Sequence, residues 1–352
     1  MPSLPPLPRA VRARHAAALL AAAALVLPAT APANDSEAEW ALGGLALKQN
    51  DAISMDAEDL YVSAEAIRVN YTYTNHSDAA QKVLVSFPIP ALPGNNPGWV
   101  EYGSFPDWKE LQFSTTVDGK PAKWDVAERA VAGGKDVTAL VKAEKFPLAW
   151  YQDSEFIEKI GALPPAEVKR LAALGLVKRA EGEEWGGNGW MPGWQVQYHI
   201  TREQTFPAHA TVRVAHRYTP LAGGSVGGVL HAFAQGELAD VRAAYEKKYC
   251  IDKAFLSGVD KRQKQETARH GEGGSGSAET WIGYVLSSGA NWRGPIGDFR
   301  LVVDKGKPDN LVSFCMDGVK KISPTQFEVR KKNYEPDRDL NVLIVQWYSF
   351  GN

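Results

Sequence analysis

The stretch IRVNYTYT at residues 67–74 decides the fold class. Apolar or aromatic side chains alternate with polar ones, which is the period-2 pattern of a strand with one buried face. A polar turn follows at residues 75–78, and the alternation resumes over residues 83–89 until Pro88 and Pro90 interrupt it. The two runs therefore predict an antiparallel pair of strands.

The same pattern recurs along the rest of the chain. Residues 111–117 alternate, Asp118-Gly119 supplies a hairpin turn, and Trp124 and Val126 begin the return strand. Further strand-like runs are separated by Gly, Pro, Asp and Asn. These runs are residues 195–201, 211–218, 281–286, 299–303, 311–316, 327–329 and 340–348. We therefore expect a mainly β protein built of antiparallel β-sandwich-like units.

Two segments show helical signals within this β-rich pattern. Residues 153–179 contain a capping Asp153 and the helix-opening pair Pro164-Pro165, and they predict a helical insertion. Residues 238–249 predict a further helix. The polar residues 260–278 are rich in Lys, Gln, Gly and Ser and predict a surface linker. Strands and helices do not alternate regularly, which argues against a parallel doubly wound sheet.

The first 33 residues have the three parts of an export signal. A basic stretch ends at Arg14, an apolar run of about 12 residues covers 16–27, and the small residues Ala31-Pro32-Ala33 form a cleavage site. The run is short for a membrane span, and an uncleaved helical anchor is the alternative. We expect a cleaved signal peptide at 1–33, a β-sandwich-like domain with the insertion at 34–235, and a helix, polar linker and second β-rich unit at 236–352.

Charge and hydropathy limit the function classes. The net charge is −2, and removing a signal segment that holds three arginines and no acid leaves −5. A mildly acidic chain lacks the electrostatic footprint of a nucleic-acid-binding protein. No later window reaches the roughly 18 apolar residues of a membrane helix. We therefore expect a periplasmic or secreted protein with no membrane span after signal cleavage.

The chain has only two cysteines, Cys250 and Cys315. In an oxidising compartment such a pair favours a structural disulfide, and the spacing does not match a Cys-x-x-Cys redox motif. Two separate buried thiols are the alternative.

Several patterns resemble catalytic or metal motifs. Residues 223–227 match the G-x-S-x-G elbow around Ser225, and residues 271–276 match G-x-G-x-x-G, but neither has the strand-then-helix context that gives its motif a mechanism. His199 shares a strand face with Gln195 and Gln197, whereas His216 shares one with Val212 and Val214 and is expected in the core. The histidines therefore do not converge on a zinc site. The acids at 56–59 and 337–339 fit solvated turns. We predict no cofactor and no metal, and a hydrolase using Ser225 or a histidine/carboxylate site is the enzyme alternative.

An aromatic, glycine-rich loop is the strongest candidate binding site. Trp185, Trp190 and Trp194, together with Trp150 and Tyr151, surround residues 183–194. Exposed aromatic rings offer glycans or proteins a flat apolar contact with a polar edge. The alternative is that these rings fill the gap between the helical insertion and the sheet.

Several blocks resemble the exported bacterial family called domain of unknown function 4424. These blocks are 34–36, 42–45 and 55–63, then His216-Arg217-Tyr218-Thr219-Pro220 with 223–225, and finally Cys250 and Phe314-Cys315 with Gly318-Val319. The resemblance implies export and transfers no activity. We therefore expect a non-catalytic binding or interaction protein of the cell envelope, whose partner is an envelope protein or a glycan. A structural component of an envelope assembly is the further alternative.

Overall fold

The computed structural model describes residues 36–41, 44–91, 111–180, 188–234, 236 and 239–350. Within these ranges the chain is mainly β. Its strands, in chain order, are β1 (Ser36–Ala41), β2 (Gly44–Lys48), β3 (Ile53–Val62), β4 (Ile67–Asn75), β5 (Gln81–Pro88), β6 (Ser114–Val117), β7 (Lys120–Pro121), β8 (Asp125–Ala132), β9 (Lys135–Asp136), β10 (Val177–Arg179), β11 (Trp190–Pro192), β12 (Gln195–Phe206), β13 (Thr211–Tyr218), β14 (Gly223–Val226), β15 (Ser275–Tyr284), β16 (Ile296–Asp304), β17 (Leu311–Phe314), β18 (Lys320–Lys321), β19 (Gln326–Tyr334) and β20 (Leu340–Ser349).

Helices connect or cover these strands. The α-helices are α1 (Thr138–Ala143), α2 (Ser154–Gly161), α3 (Pro165–Ala173), α4 (Val229–Ala234), α5 (Ala239–Tyr249) and α6 (Lys253–His270), with short 3₁₀ helices at Trp150–Gln152 and Ser287–Asn291. No helix in the described ranges is long and apolar enough to cross a membrane.

An eight-stranded sheet runs in the order β18-β19-β16-β3-β4-β13-β6-β7. β4 lies near its middle, and its side chains alternate between the core and the surface as the sequence predicts. Val69, Tyr71 and Tyr73 are buried, whereas Arg68 and Asn70 are exposed. The hairpin turn predicted at Asp118-Gly119 joins β6 to β7, so the alternation and this turn are confirmed. The predicted pairing of 67–74 with 83–89 is wrong, because β4 pairs with β3 and β13, whereas the turn after β4 carries the chain into β5 of a second sheet. The return strand predicted at Trp124 and Val126 is also wrong, because β7 is the return strand and Val126 belongs to β8 of that second sheet.

A six-stranded antiparallel sheet faces the first one, in the order β2-β1-β5-β12-β8-β9. Its inner face carries Val85, Phe87 and Ile200 into the core. The Phe87 ring lies 5.0 Å from the His216 ring of β13, centroid to centroid. Side chains from two facing sheets thus interdigitate, which confirms the sandwich-like packing.

The helical insertion is confirmed. The Asp153 carboxylate accepts a hydrogen bond from the Phe156 backbone N–H at 2.9 Å and caps α2. Pro165 opens α3, where its missing N–H costs nothing. The buried faces of the two helices carry Ile160 and Leu171 into the main core.

A four-stranded sheet, in the order β14-β15-β20-β17, carries α4, α5 and α6 and forms a second, smaller core. The predicted helix at 238–249 is confirmed as α5. The members of this core are Val229, Leu230, Phe233, Tyr245, Tyr249, Trp281, Leu343 and Val345.

The linker predicted at 260–278 is wrong. α6 continues to His270, and β15 begins at Ser275. Asp252 caps the helix start by accepting the Phe255 N–H at 2.7 Å, and Gly271 ends the helix with φ of +80°. Lys, Gln, Arg, Glu and Ala are good helix formers, so a polar composition did not imply a linker.

One strand pair departs from the antiparallel pattern. β16 pairs with β3 in parallel, with Leu301 opposite Leu60. The chain returns to the sheet after a long excursion, so no hairpin dictates the direction of this pair. A strand from the predicted second unit thus lies inside a sheet of the first, and residues from both ranges share the main core.

Candidate functional site

A groove of about 750 Å³ opens beside the disulfide, and we call it the Tyr334 groove. It is lined by β17 and the following residues 315–319, by the end of β19 and residues 335–338, and by the start of α6. Pockets that hold small ligands have volumes of about 300–1,000 Å³. The groove is therefore large enough for a compact ligand or a short peptide segment.

The backbone at Asn333 turns the Tyr334 ring into the groove. Strict alternation along β19 would place Tyr334 on the face opposite Lys331, but Asn333 has φ of 49° and breaks the alternation. The Tyr334 ring centroid then lies 4.7 Å from that of Phe299 and 4.8 Å from the Lys331 ammonium. The Tyr334 hydroxyl reaches the Met316 sulfur at 3.9 Å.

The lining combines an apolar floor with a charged rim. Phe314, Met316, Phe327 and Tyr334 are half-buried, so part of each side chain remains accessible. The rim carries four carboxylates and two cations. These are Asp252, Asp317, Glu335, Asp337, Lys331 and Arg338.

Acidic groups dominate the electrostatics of the rim. Asp337 pairs with Arg338 at 3.0 Å, whereas Asp317 and Glu335 are exposed and form no ion pair with any described residue. Burial raises the pKa of Tyr334 to about 12, and the carboxylates of Asp337, Glu58 and Asp317 add to that rise against Arg338. Three carboxylates and one guanidinium thus act on the Tyr334 hydroxyl.

The predicted disulfide is confirmed and lines the groove. Cys250 and Cys315 are bonded, with their Cα atoms 5.1 Å apart. Cys250 follows the last turn of α5, and Cys315 follows β17, so the bridge ties a helix of the smaller core to an edge strand. The Ser313 hydroxyl supports the same contact by donating to the Tyr249 carbonyl oxygen at 2.8 Å.

A buried carboxylate lies under the aromatic floor. Glu58 is 1% exposed and accepts a hydrogen bond from the Tyr284 hydroxyl at 3.2 Å. The solvated turn expected at 56–59 is therefore wrong, because these residues lie in β3. The Tyr284 and Tyr71 hydroxyls are 2.8 Å apart, and burial raises the pKa of Tyr284 far above its usual value. Phe299, which contacts Tyr334, stands opposite Glu58 in the parallel register.

A second buried carboxylate, Glu279, anchors α4 to the smaller core. Its Oε1 accepts the Leu230 N–H at 2.8 Å, and its Oε2 accepts from the Tyr245 hydroxyl and from Trp281 Nε1. Burial raises the pKa of Glu279 despite these donors. The Glu279 carboxylate is thus enclosed in the smaller core, where its hydrogen bonds join β15 to α4 and α5.

The predicted aromatic residues fall into different environments. Trp150 and Trp194 are 2% and 1% exposed. Trp150 Nε1 donates to the Trp194 carbonyl oxygen at 2.8 Å, and Trp194 Nε1 donates to the Leu148 carbonyl oxygen at 2.9 Å. The Phe146 and Trp194 rings are nearly parallel. These two indoles therefore pack between the insertion and the sheet.

Trp190 and Tyr151 retain accessible surface. The Arg179 guanidinium lies 4.6 Å from the Trp190 ring centroid, and the Tyr151 hydroxyl is 2.8 Å from that of Tyr198. Trp185 lies outside the described residues.

The hydrolase candidates are not brought together. Ser225 lies in β14 opposite Glu279, and in the described part of the chain no histidine is within hydrogen-bond distance of it. The described residues also contain no group of three or more His, Cys, Asp or Glu side chains that could hold a metal ion. Residues 271–276 form the turn after α6 and the start of β15.

Two other serine–histidine contacts occur that the sequence did not reveal. The Ser54 hydroxyl lies 2.8 Å from His76 Nε2 and also donates to Asp56 at an exposed site where β3 begins and β4 ends. The Ser86 hydroxyl lies 2.9 Å from His199 Nδ1 in a fully buried site. Neither contact lies beside the Tyr334 groove.

Sequence reasoning also missed the groove itself. The pairing of Cys250 with Cys315 gave an indirect signal, because it brings Phe314 and Met316 beside the start of α6. Nothing in the sequence linked Tyr334 to them, since the Asn333 backbone conformation decides where that ring points.

Comparison with known proteins gives one family match. The model of the family described as Domain of unknown function (DUF4424) matches residues 33–343. None of the curated proteins compared with the chain matches it. One similar solved structure is described as a "putative nutrient binding protein" from Legionella pneumophila subsp. pneumophila str. Philadelphia 1; the match is 13% identical, covers 89% of this chain and 70% of that chain, and has a TM-score of 0.41.

Proposed function

Since this chain belongs to the family described as Domain of unknown function (DUF4424), whose description assigns no activity, we propose a function from its own groove. The protein is a non-catalytic binding protein of the cell envelope, and the Tyr334 groove holds its ligand. The ligand combines an apolar body with a cationic group, which is the chemistry of a peptide segment bearing Lys or Arg.

This proposal rests on one observation: the same groove combines an apolar floor with an acid-rich rim. Half-buried Phe314, Met316 and Tyr334 offer apolar and aromatic contact, and sulfur and aromatic groups adapt well to varied apolar side chains. Asp317 and Glu335 add two exposed carboxylates without ion-pair partners in the described chain. A cation near both carboxylates and the Tyr334 ring gains favourable Coulomb energy.

The test compares two synthetic peptides by isothermal titration calorimetry. We expect acetyl-Leu-Lys-Leu-Lys-Leu-amide to bind the purified protein more tightly than the same peptide with Gln in place of Lys. The double variant Asp317→Asn/Glu335→Gln should weaken binding of the Lys peptide about 5-fold, because an exposed charge pair is worth about 0.2–1 kcal/mol. Binding of the Gln peptide should change little.

The matched control is Glu272→Gln, which removes an exposed carboxylate that does not line the groove. It should leave binding of the Lys peptide unchanged. Equal affinities of the two peptides for the wild-type protein would contradict the cationic preference, and an unaffected double variant would contradict the location.

Export is the second part of the proposal. The basic, apolar and small-residue order of 1–33 supports it, and a disulfide fits an oxidising compartment. Full-length protein expressed with a C-terminal tag in a Gram-negative host should be recovered from the periplasmic fraction or the medium. N-terminal sequencing should begin at Asn34, and retention of Met1 on cytoplasmic protein would contradict export.

The partly exposed ring of Trp190 is a second candidate contact for a glycan or a protein. The Trp190 ring keeps accessible surface beside the Arg179 guanidinium, whereas Trp150 and Trp194 are enclosed. Trp190→Ala should weaken a ligand contact there, whereas Trp150→Ala should lower stability.

A further inference from the structure

A second surface, separate from the Tyr334 groove, lies on the exposed face of the eight-stranded sheet. Arg217 of β13 stands directly opposite Arg68 of β4 in the antiparallel register, and both side chains are exposed. Arg213 lies on the same face of β13, four residues away. We call these three residues the arginine strip.

The arginine strip keeps its positive charge uncompensated. Among the described residues, no carboxylate forms an ion pair with any of the three guanidiniums. Arg68 instead stacks over the Tyr61 ring at 4.0 Å, and the Tyr61 hydroxyl donates to Asp304. The nearest acids in sequence and register are Asp59, which pairs with Arg300, Glu65 in the β3–β4 turn, and Asp118, which accepts the Arg213 backbone N–H.

Other cations on the same sheet face have carboxylate partners. Arg300 pairs with Asp59 and Glu328, and Lys332 pairs with Asp298 at 2.7 Å. Lys320 of β18 stands opposite Glu328 without an ion pair among the described residues, so the three arginines of β4 and β13 are the larger group of unpaired cations on this face. Like charges placed directly opposite each other in a sheet are destabilising, so folding alone does not favour this arrangement.

The spacing of the arginine strip fits an extended chain. Residues four apart in a strand are separated by about 13–14 Å, and residues i and i+4 of an extended peptide have the same separation. Facing residues in neighbouring strands are about 5 Å apart, so one carboxylate can contact both Arg68 and Arg217. Asn70 and Thr116 flank Ala215 between the arginines, and Thr72 stands opposite Arg213. Their amide and hydroxyl groups can hydrogen-bond a backbone.

The surface favours a peptide over a lipid bilayer. None of the exposed large apolar side chains in the described chain lies on β4 or β13, so the strip has no group that would insert into a membrane. We infer that the arginine strip docks an extended acidic segment of a partner protein, with carboxylates four residues apart.

The test uses the full mature chain and two synthetic peptides. Acetyl-Glu-Thr-Glu-Thr-Glu-amide should bind at low salt, and the same peptide with Gln in place of Glu should bind at least 10-fold more weakly. The double variant Arg68→Gln/Arg217→Gln should weaken binding of the Glu peptide at least 10-fold. Raising the ionic strength from 0.02 to 0.3 M should weaken wild-type binding, as expected for exposed charges.

Three comparisons separate a docking role from a structural one. Arg217→Gln alone should raise Tm, because it removes a like-charge contact, while it weakens binding of the Glu peptide. Arg330→Gln, which changes an exposed arginine paired with Glu328 on the same sheet, should leave Glu-peptide binding unchanged. The double variant should bind the Lys peptide of the Tyr334 groove as the wild type does, so the two proposals fail independently.

Two outcomes would overturn the inference. One is equal binding of the Glu and Gln peptides to the wild-type protein, or equal binding of the Glu peptide to the wild type and the double variant. The other is arginine-dependent binding to phosphatidylglycerol vesicles with no binding of the Glu peptide, which would assign the strip to a membrane surface.

Discussion

At the scale of single residues, His199 gives the sharpest prediction. Its Nδ1 contacts the Ser86 hydroxyl, whereas its buried Nε2 has no hydrogen-bond partner in the described chain. Burial, with a smaller contribution from Arg129, lowers the pKa of His199 to about 3. The folded protein therefore holds a neutral imidazole at pH values where the unfolded chain takes up a proton.

The direction in which stability changes with pH follows from proton uptake by the unfolded chain. Below about pH 6.5 the unfolded chain binds a proton that the folded protein does not, so the free energy of unfolding falls as pH falls toward 3. The expected slope for this one proton is about 1.4 kcal/mol per pH unit. Urea unfolding between pH 7.5 and pH 4 should show it, and His199→Gln should flatten the slope.

The control is His231→Gln, which changes an exposed histidine of α4. Its slope should match that of the wild type. If His199→Gln and the wild type lose stability equally on acidification, His199 is not the group responsible.

The alternation of side chains along a strand, or strand parity, predicted which face His199 and His216 occupy. It placed His199 on one face with Gln197, and both are buried; it placed His216 toward the core, where it packs against the Tyr71 and Phe87 rings. It could not predict the Ser86 contact, because parity gives the face of a residue and not its neighbour across the sheet. That neighbour depends on the register between β5 and β12.

At the scale of elements, glycine substitutions test whether residues 253–270 form the helix α6 or a linker. Gly258 lies inside this helix, and a Cβ added there would meet only Leu311 Cδ1, at 3.5 Å. Gly258→Ala should therefore raise the free energy of unfolding by about 0.5–1 kcal/mol, because Ala loses less backbone entropy than Gly in a helix. Urea unfolding at pH 7 measures the change.

Gly271 is the matched glycine at the end of the same helix. Its φ of +80° is strained for any side chain, so Gly271→Ala should lower stability. Equal effects of the two substitutions would mean that residues 253–270 do not form a helix ending at Gly271.

The elements that the sequence predicted are those with strong local signals. Alternation identified β4 and β13, and proline and capping residues identified α2 and α3. The parallel pairing of β16 with β3 left no local trace, because it joins residues about 240 positions apart. The contact between Phe299 of β16 and the Tyr334 ring depends instead on the antiparallel pairing of β16 with β19.

At the scale of the whole molecule, the disulfide closes a loop of chain that passes through both cores. Between Cys250 and Cys315 the chain forms α6, crosses the four-stranded sheet as β15, enters the eight-stranded sheet as β16 and returns as β17. The closed loop therefore contains strands of both sheets. Opening it increases the freedom of the unfolded chain far more than it changes any contact in the folded one.

We expect the double variant Cys250→Ala/Cys315→Ala to lose about 4 kcal/mol of unfolding free energy, the chain-entropy value for a 65-residue separation. Wild-type protein assayed in excess reductant should lose a similar amount, which separates loss of the bridge from the effect of the Ala side chains. Because the bridge also lines the Tyr334 groove, the folded double variant should bind the Lys peptide more weakly while Glu-peptide binding at the arginine strip persists. A variant that retains both full stability and full Lys-peptide affinity would show that neither the smaller core nor the groove depends on the bridge.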